Sequence, residues 1–422
     1  MKIWRIGALM AASAGAAITA GVAYADQSYS ADKKFREMAD AAQSRLSSGD
    51  MAGAAGYIAA LAPDTPFEKY LASSLAFELA VKKNDIVTQR SAIATVLESG
   101  GVPQNELGRL NFIAGYLSYQ TGAIDNAIVY LTRAREQKLA DPKASLMLAE
   151  CYVRRRKLDM ASQILGETIN AQRQAGQPVP AAWYDRAASI AQQRKDWTAV
   201  SYYGAAKLEA LKPMSAAEWR TGLVSFLSGA RLDKEAELDL YRLQAATGAL
   251  ASERDYQGYA TLAAGQGYPA EARTIIETGQ SSGKLSSRDT VTSALMRSLR
   301  SKAVVHLASI KGLPGKASSM SSAAKAAQNG DNLLANSQFA EAVPYYRTAL
   351  DKGGVDKDRV FTRLGIALAR SGDMTGAEQA LAQAKGGWGQ VAAYWLAWVN
   401  AHGSTSAQAS VSGGTAEAPP SS

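Results

Sequence analysis

A pair of small residues twelve positions apart keeps returning along this chain, and it constrains the fold more than any other feature. Gly115 and Ala127 form one pair, and Ala149 and Ala161 form the next, 34 residues on. The pair stands again at Ala42/Ala54, Ala187/Ala199, Ala260/Ala272, Gly330/Ala342 and Gly365/Ala377, with looser copies at Phe77/Gln89 and Val224/Ala236. Successive units lie 34 to 38 residues apart, except for a gap of 70 between Ala260 and Gly330 that has room for a degenerate unit near Leu295. Self-similarity at this period marks a repeat array, in which one unit cannot bury its own apolar face and must stack on its neighbours.

Inside a unit the sequence reads as two helices and a turn. The helix in "FIAGYLSYQTG" stops at Gly122, and "SGD" stops the matching segments at Gly49 and Gly372. Glycine closes a helix in the left-handed conformation without a steric penalty. The second helix then begins beside a hydrophobe that can tuck under the turn: Met51, Ile124, Leu158, Phe339 or Met374. Small residues at the paired positions let the helix axes approach, and Leu131, Leu165, Ile276, Tyr346 and Leu381 fill the groove beside them. An apolar chain with only 8% aromatic residues fits closely packed helices better than a β-sandwich core.

The stretches "FIAGYLSYQTGAIDNAIVYLTRA" (112–134), "NGDNLLANSQFAEAVPYYRTAL" (329–350) and "RLGIALARSGDMTGAEQALAQA" (363–384) resemble the tetratricopeptide repeat family. The likeness covers residues 33–385, is strongest at 112–168 and at the C-terminal end, and fails over 285–320. It implies an all-α, right-handed α-solenoid of about nine or ten helix-turn-helix repeats, with a groove that binds peptides or protein segments. It implies no reaction. A terminal repeat needs a lid, and "GWGQVAAYWLAWVNAH" (387–402) supplies one, with Trp388, Val391, Trp395 and Trp398 at spacings of three and four. The expected plan is a signal peptide over 1–25, an N-terminal array over 26–312, a hinge at 313–322, a C-terminal repeat pair with its capping helix over 323–402, and a disordered tail over 403–422.

The signal peptide rests on Lys2 and Arg5, an apolar run of small residues, and "AYA" ending at Ala25. That run is too short and weak for a membrane span, so a periplasmic protein without membrane insertion after cleavage is expected. The lone Cys151 cannot form an internal disulfide and reads as a helix-packing residue. The chain carries +8 formal charges, falling to +6 if Lys2 and Arg5 are removed. The excess is local: residues 284–325 hold eight Lys or Arg against one acid, Asp289.

Catalytic and cofactor motifs fail. The two histidines, His306 and His402, sit in no triad or metal pattern. "GLPGKAS" (312–318) and "GQSSGKLSS" (279–287) lack phosphate-loop spacing, and "GQGYPA" (265–270) is a broken dinucleotide fingerprint between helices. No catalytic residue, metal site or cofactor is expected.

Function is therefore expected at surfaces. Under the family resemblance, the inner face of each first helix lines the groove. That face takes in Arg109, Phe112, Tyr116 and Tyr119, then Lys143, Glu150 and Arg154, then Tyr184. Aromatic rings with Arg and Lys offer large rigid contact area and donors for carbonyls or carboxylates. Phe112 and Tyr116 stand where chaperone-binding relatives carry the Lys and Asn of a carboxylate clamp, so that activity is not implied. A second candidate surface is basic: Arg297, Arg300 and Lys302. The expectation is a non-catalytic periplasmic scaffold or adaptor for a protein or peptide partner, with an anionic envelope polymer as a candidate for the basic stretch and no nucleic acid. The alternative is an accessory subunit of envelope polysaccharide synthesis or export.

Overall fold

The computed structural model describes residues 30–412 apart from 140, 212 and 213, with side chains through residue 403. The expected signal peptide and residues 413–422 of the expected tail lie outside that range. Among the described residues the chain forms twenty α-helices and no strand. Eighteen of the helices pair as nine hairpins. Four hairpins fall in the first compact unit, Met1–Ala175. They are α1 (Lys33–Ser48) with α2 (Met51–Ala60), α3 (Pro66–Lys82) with α4 (Ile86–Glu98), α5 (Leu107–Gln120) with α6 (Ile124–Glu136), and α7 (Lys143–Arg154) with α8 (Leu158–Gln174).

The second unit, Gly176–Ser422, holds the rest. It begins with α9 (Ala181–Gln193) and α10 (Trp197–Ala210), α11 (Ala216–Leu227) and α12 (Lys234–Ala246), and α13 (Glu253–Gly265) and α14 (Pro269–Ser281). A single long helix follows, α15 (Thr290–Ile310), then α16 (Ala323–Ala335) with α17 (Phe339–Lys352), α18 (Lys357–Ser371) with α19 (Met374–Leu381), and α20 (Gly386–Ser412).

The hairpin turns explain why these sequences bend where they do. Gly49, Gly122, Gly267 and Gly372 take positive φ at their turns, as the glycine pattern predicts. The corresponding turns of four other hairpins use Asn84, Arg156, Lys195 and Ser337 at φ of 55 to 57°. A side chain in that region costs about 1–2 kcal/mol, so packing on both sides holds those turns where composition would not place them. An aspartate then often starts the second helix. Asp50 accepts the Gly53 N–H and Asp373 accepts the Gly376 N–H, each at 2.8 Å. A cap of this kind contributes about 1 kcal/mol.

The small-residue pairs mark where two helices nearly touch. A Cβ added at Gly115 would lie 2.6 Å from Leu131 Cγ, and one at Gly365 would lie 2.5 Å from Leu381 Cγ. Leu131, Leu165, Ile276, Tyr346 and Leu381 are all buried, as groove-fillers must be. At the looser copy, the Gln89 side-chain amide donates to the Ala80 carbonyl at 3.2 Å, which gives a larger residue a use at the turn.

The structure corrects the register at two hairpins. In the fifth, the left-handed residue is Lys195, and Val200 is buried while Ala199 is only partly buried against the same core. In the sixth, Val224 is 37% exposed while Leu223 is fully buried. The connection there runs over 228–233, six residues against two or three at the other hairpins. The buried partner of Ala236 stands one position earlier than the twelve-residue rule places it, about 100° around the first helix. The degenerate unit near Leu295 is also absent: α15 runs unbroken for 21 residues, because nothing between Thr290 and Ile310 supplies a turn.

The expected hinge at 313–322 is packed into the second unit. Tyr345 Oη donates to the Leu313 carbonyl at 2.6 Å, Asn329 Nδ2 lies 3.2 Å from the Met320 sulfur, and Ala317 is buried. Pro and Gly made this loop look loose, but its Leu, Ala and Met side chains have apolar area to bury. The two compact units divide at Ala175/Gly176 instead of 312/313.

The expected capping helix does more than cover a terminal repeat. Trp388, Val391, Trp395 and Trp398 are buried. α20 packs against α18 and α19, and it also lies along α10 and touches α12, so the second unit closes on itself. Tyr394 meets Phe226 with ring centroids 5.2 Å apart, and a Cβ at Gly204 would fall 2.4 Å from the Tyr394 hydroxyl. Trp395 Nε1 donates to the Asp239 carbonyl at 3.0 Å, and Asn400 Nδ2 donates to Glu209 at 2.7 Å. The helix continues through Ser412, into the segment expected to be a disordered tail.

Candidate protein-interaction surfaces

Two surfaces and one buried centre hold the side chains that could do more than pack. The first surface belongs to α5 and α7 of the first unit. Phe112, Tyr116 and Tyr119 follow one another at spacings of four and three, so α5 carries them on one face. All three are half-buried, while Leu110, Ile113 and Leu117 of the same helix are buried in the core. Arg154, exposed on α7, lays its guanidinium carbon 4.1 Å from the centre of the Tyr119 ring, and its Nη2 donates to the Tyr119 hydroxyl at 2.6 Å. These residues are 35 positions apart, one repeat, so stacking of neighbouring hairpins brings them together. Burial raises the Tyr119 pKa, against the opposing effect of Arg154. Gln120 donates to the Tyr116 hydroxyl at 3.0 Å.

The other candidates differ in what they offer. Arg109 is engaged by Glu106 through its Nε at 2.8 Å. Lys143 pairs with Asp141 at 3.3 Å where α7 begins. Glu150 is half-buried on α7. Tyr184 belongs to the second unit and is 5% exposed, so it packs in the core and offers no groove surface. Its place in the repeat suggested a groove position, but α9 turns that side inward. Cys151 is buried, and desolvation raises its pKa to about 11, as a packed thiol should behave.

The second surface is α15. Arg297, Arg300 and Lys302 are exposed, and no carboxylate pairs with them among the described residues. The same helix exposes Val291, Val304, Val305 and Leu307 at 46 to 69%. Its buried residues, Thr292, Leu299, Ala303 and Ile310, fall on a single stripe, so the remaining circumference faces outward with cations and valines mixed. Lys302, Val305 and His306 border a shallow cleft of about 420 Å³ with Gly267 and Pro269.

The buried centre went unread in the sequence. Arg363 and Asp239 are both fully buried, with Arg363 Nε 3.0 Å from Asp239 Oδ2. Arg363 Nη1 lies 2.9 Å from Asp331 and 3.1 Å from Glu235, and Arg359 reaches Glu235 at 2.8 Å. Arg242 grips Glu271 with two bonds of 2.8 Å and also pairs with Asp239. Tyr259 and Tyr346 donate to Glu271 at 2.8 Å and Asp331 at 2.9 Å. Burial alone would lower the Arg363 pKa, but Asp239 and Asp331 outweigh it and hold the guanidinium protonated. The available signal was a charge set among leucines at helical spacing, in "AELDLYRLQ" and "RLGIALA". No group of His, Cys, Asp and Glu suited to a metal occurs among the described residues, and none of their helices is long and apolar enough to cross a membrane.

The family model of the tetratricopeptide repeat matches residues 118–179, from the end of α5 through α8. No curated protein matches the chain. Similar solved structures include a tetratricopeptide repeat protein from Parabacteroides merdae at 12% identity and TM-score 0.32, covering 80% of this chain and all of that one. Naa15/Naa10 bound to HypK-THB matches at 14% identity and TM-score 0.31, over 82% of this chain and 57% of that one. The TPR2AB domain of yeast Sti1 in complex with pHSP90 matches at 14% identity and TM-score 0.26, over 72% and 96%.

Proposed function

Taking the chain as a tetratricopeptide-repeat protein, we propose that it is an exported, non-catalytic adaptor that holds a protein or peptide segment on the α5–α7 face of its first unit. The observation that carries this reading is the Tyr119–Arg154 stack between neighbouring repeats, continued along α5 by Tyr116 and Phe112. The stack fixes two large side chains in place before any partner arrives, so little rotamer freedom is lost on binding. The aromatic faces supply apolar area, and the remaining guanidinium donors can meet backbone carbonyls or a carboxylate. Export rests on the sequence of residues 1–25, and a periplasmic location is part of the proposal.

In-cell crosslinking tests it. A photoreactive residue at Gln120, exposed beside this face, should capture a discrete partner, while one at exposed Val129 on α6 should not. Equal labelling from both positions would remove the proposal. Fractionation of cells expressing the full chain should recover the processed protein from the periplasm, and an unprocessed cytoplasmic chain would refute the location.

One observation favours a second reading, an accessory role in envelope polysaccharide assembly. The cations of α15 have no carboxylate partners, so they are free to meet an anionic polymer. Reversing Arg297, Arg300 and Lys302 to Glu should lower retention in the envelope fraction and leave Gln120 crosslinking intact; unchanged retention discards this reading.

A further inference from the structure

Closure of the second unit leaves a cavity of about 390 Å³, bounded by α12, α13, α14, α15, the α16–α17 turn, α18 and α20. Its volume falls in the range of small-molecule sites. Three charged groups line it. Arg242 and Glu271 neutralise one another through the paired bonds already described, and Tyr259 completes the acceptor set of Glu271. Arg370 is different. It stands at the end of α18 with its guanidinium carbon 4.8 Å from the centre of the Phe339 ring, and no carboxylate pairs with it among the described residues. Arg370 is exposed to solvent and also lines the cavity, and neighbouring protein partly desolvates the guanidinium and lowers its pKa. Ile366, Phe339 and Trp395 supply apolar wall beside it.

A place at a helix C-terminus gives Arg370 a few tenths of a kcal/mol of dipole interaction. Its place on an aromatic ring at the edge of the cavity, without a carboxylate partner among the described residues, leaves guanidinium donors for an anion. We infer that this cavity binds a small carboxylate with an apolar body, its carboxylate on Arg370 and its body against Phe339, Ile366 and Trp395. The guanidinium fork matches a carboxylate with two parallel bonds. The neighbouring ion pair is self-satisfied and does not compete for the ligand. A free small acid is favoured over a peptide chain because the cavity, at about 390 Å³, has the volume of a small-molecule site. The site is separate from the α5–α7 face and stands or falls without it.

The test uses the full mature chain, with tryptophan fluorescence and calorimetry as readouts and 4-phenylbutyrate and octanoate as probes. Saturable binding is expected for both acids. Binding should weaken at least tenfold for the neutral 4-phenylbutyramide and for Arg370→Gln, and recover partly in Arg370→Lys. A tetraglycyl-phenylalanine peptide, which carries a similar ring and carboxylate on a chain, should bind more weakly than the free acid. The unliganded melting temperature of Arg370→Gln should match that of the parent, which separates a lost ligand contact from a lost fold. No saturable binding of either acid at millimolar concentration overturns the inference, as does equal binding by the amide or by Arg370→Gln. A peptide that binds more tightly than the free acid overturns the choice of a small ligand.

Discussion

The first unit is held together one repeat at a time, whereas the second is tied across its whole length. In the first, side-chain bonds step from one hairpin to the next: Arg154 to Tyr119 over 35 positions, Arg135 to Glu167 over 32, and Arg90 to Thr121 over 31. In the second, Arg363 reaches Asp239 across 124 positions, Trp395 reaches Asp239 across 156, and Asn400 reaches Glu209 across 191. Both units use the same hairpin. The difference comes from two helices outside the repeat, α15 and α20, and from charges placed on inner faces that the repeat pattern leaves free. Stacked repeats alone supply nearest-neighbour contacts, so closing an array takes elements that break the pattern.

Removing the buried centre should break that contrast most strongly. Arg363→Ala leaves Asp239 and Asp331 without their main counter-charge, and loss of a partner from a buried pair costs about 3–5 kcal/mol. Denaturant melts should show the second unit unfolding early, with protease cutting near α20 first. A single transition unmoved from the parent would mean that the ionic centre does not hold the closure. Next in size is a test of nearest-neighbour packing in the first unit. Gly115→Ala drives a methyl into Leu131 and should cost about 1–3 kcal/mol, with no effect on protection of α20 in hydrogen exchange.

Acid should also loosen the closure of the second unit. The Glu235 carboxyl, although burial pushes its pKa up, is held below the ordinary value of 4.5 by Arg363 and Arg359. A carboxylate with a lowered folded-state pKa adds stability above its unfolded value, and that stability is lost as pH falls through the folded value. Loss of α20 protection should therefore set in below about pH 4.5 and be blunted in Glu235→Gln. The smallest effect on stability is expected at the proposed binding face. Arg154→Ala removes an exposed cation–π contact worth about 0.5–1 kcal/mol, while crosslinking from Gln120 should fall severalfold. A large drop in melting temperature would recast Arg154 as a structural residue.

Much of the architecture was legible because repetition amplifies a weak signal. Gly115, Gly330 and Gly365 are each explicable alone, but their recurrence with a small partner twelve residues on identifies the hairpin. The same logic failed where one turn lengthened, at Leu223 and Ala236, and where no unit exists, along α15. Of the face candidates, Tyr119 and Arg154 meet because one repeat separates them, while Tyr184 is buried since its helix presents another side.

The sequence by itself determined the helices, their glycine turns, the hairpin as unit and the apolar stripe of α20, because these depend on residues within one or two turns or one repeat of each other. Tertiary structure alone decided that α20 returns to α10 and α12, that Arg363 meets Asp239, and that a cavity with an unpaired Arg370 lies within the closed unit. The physical reason is that a buried charge carries no local mark of its partner. Its cost is offset only when helices distant in the chain come together, and no spacing in the sequence encodes which helices those are.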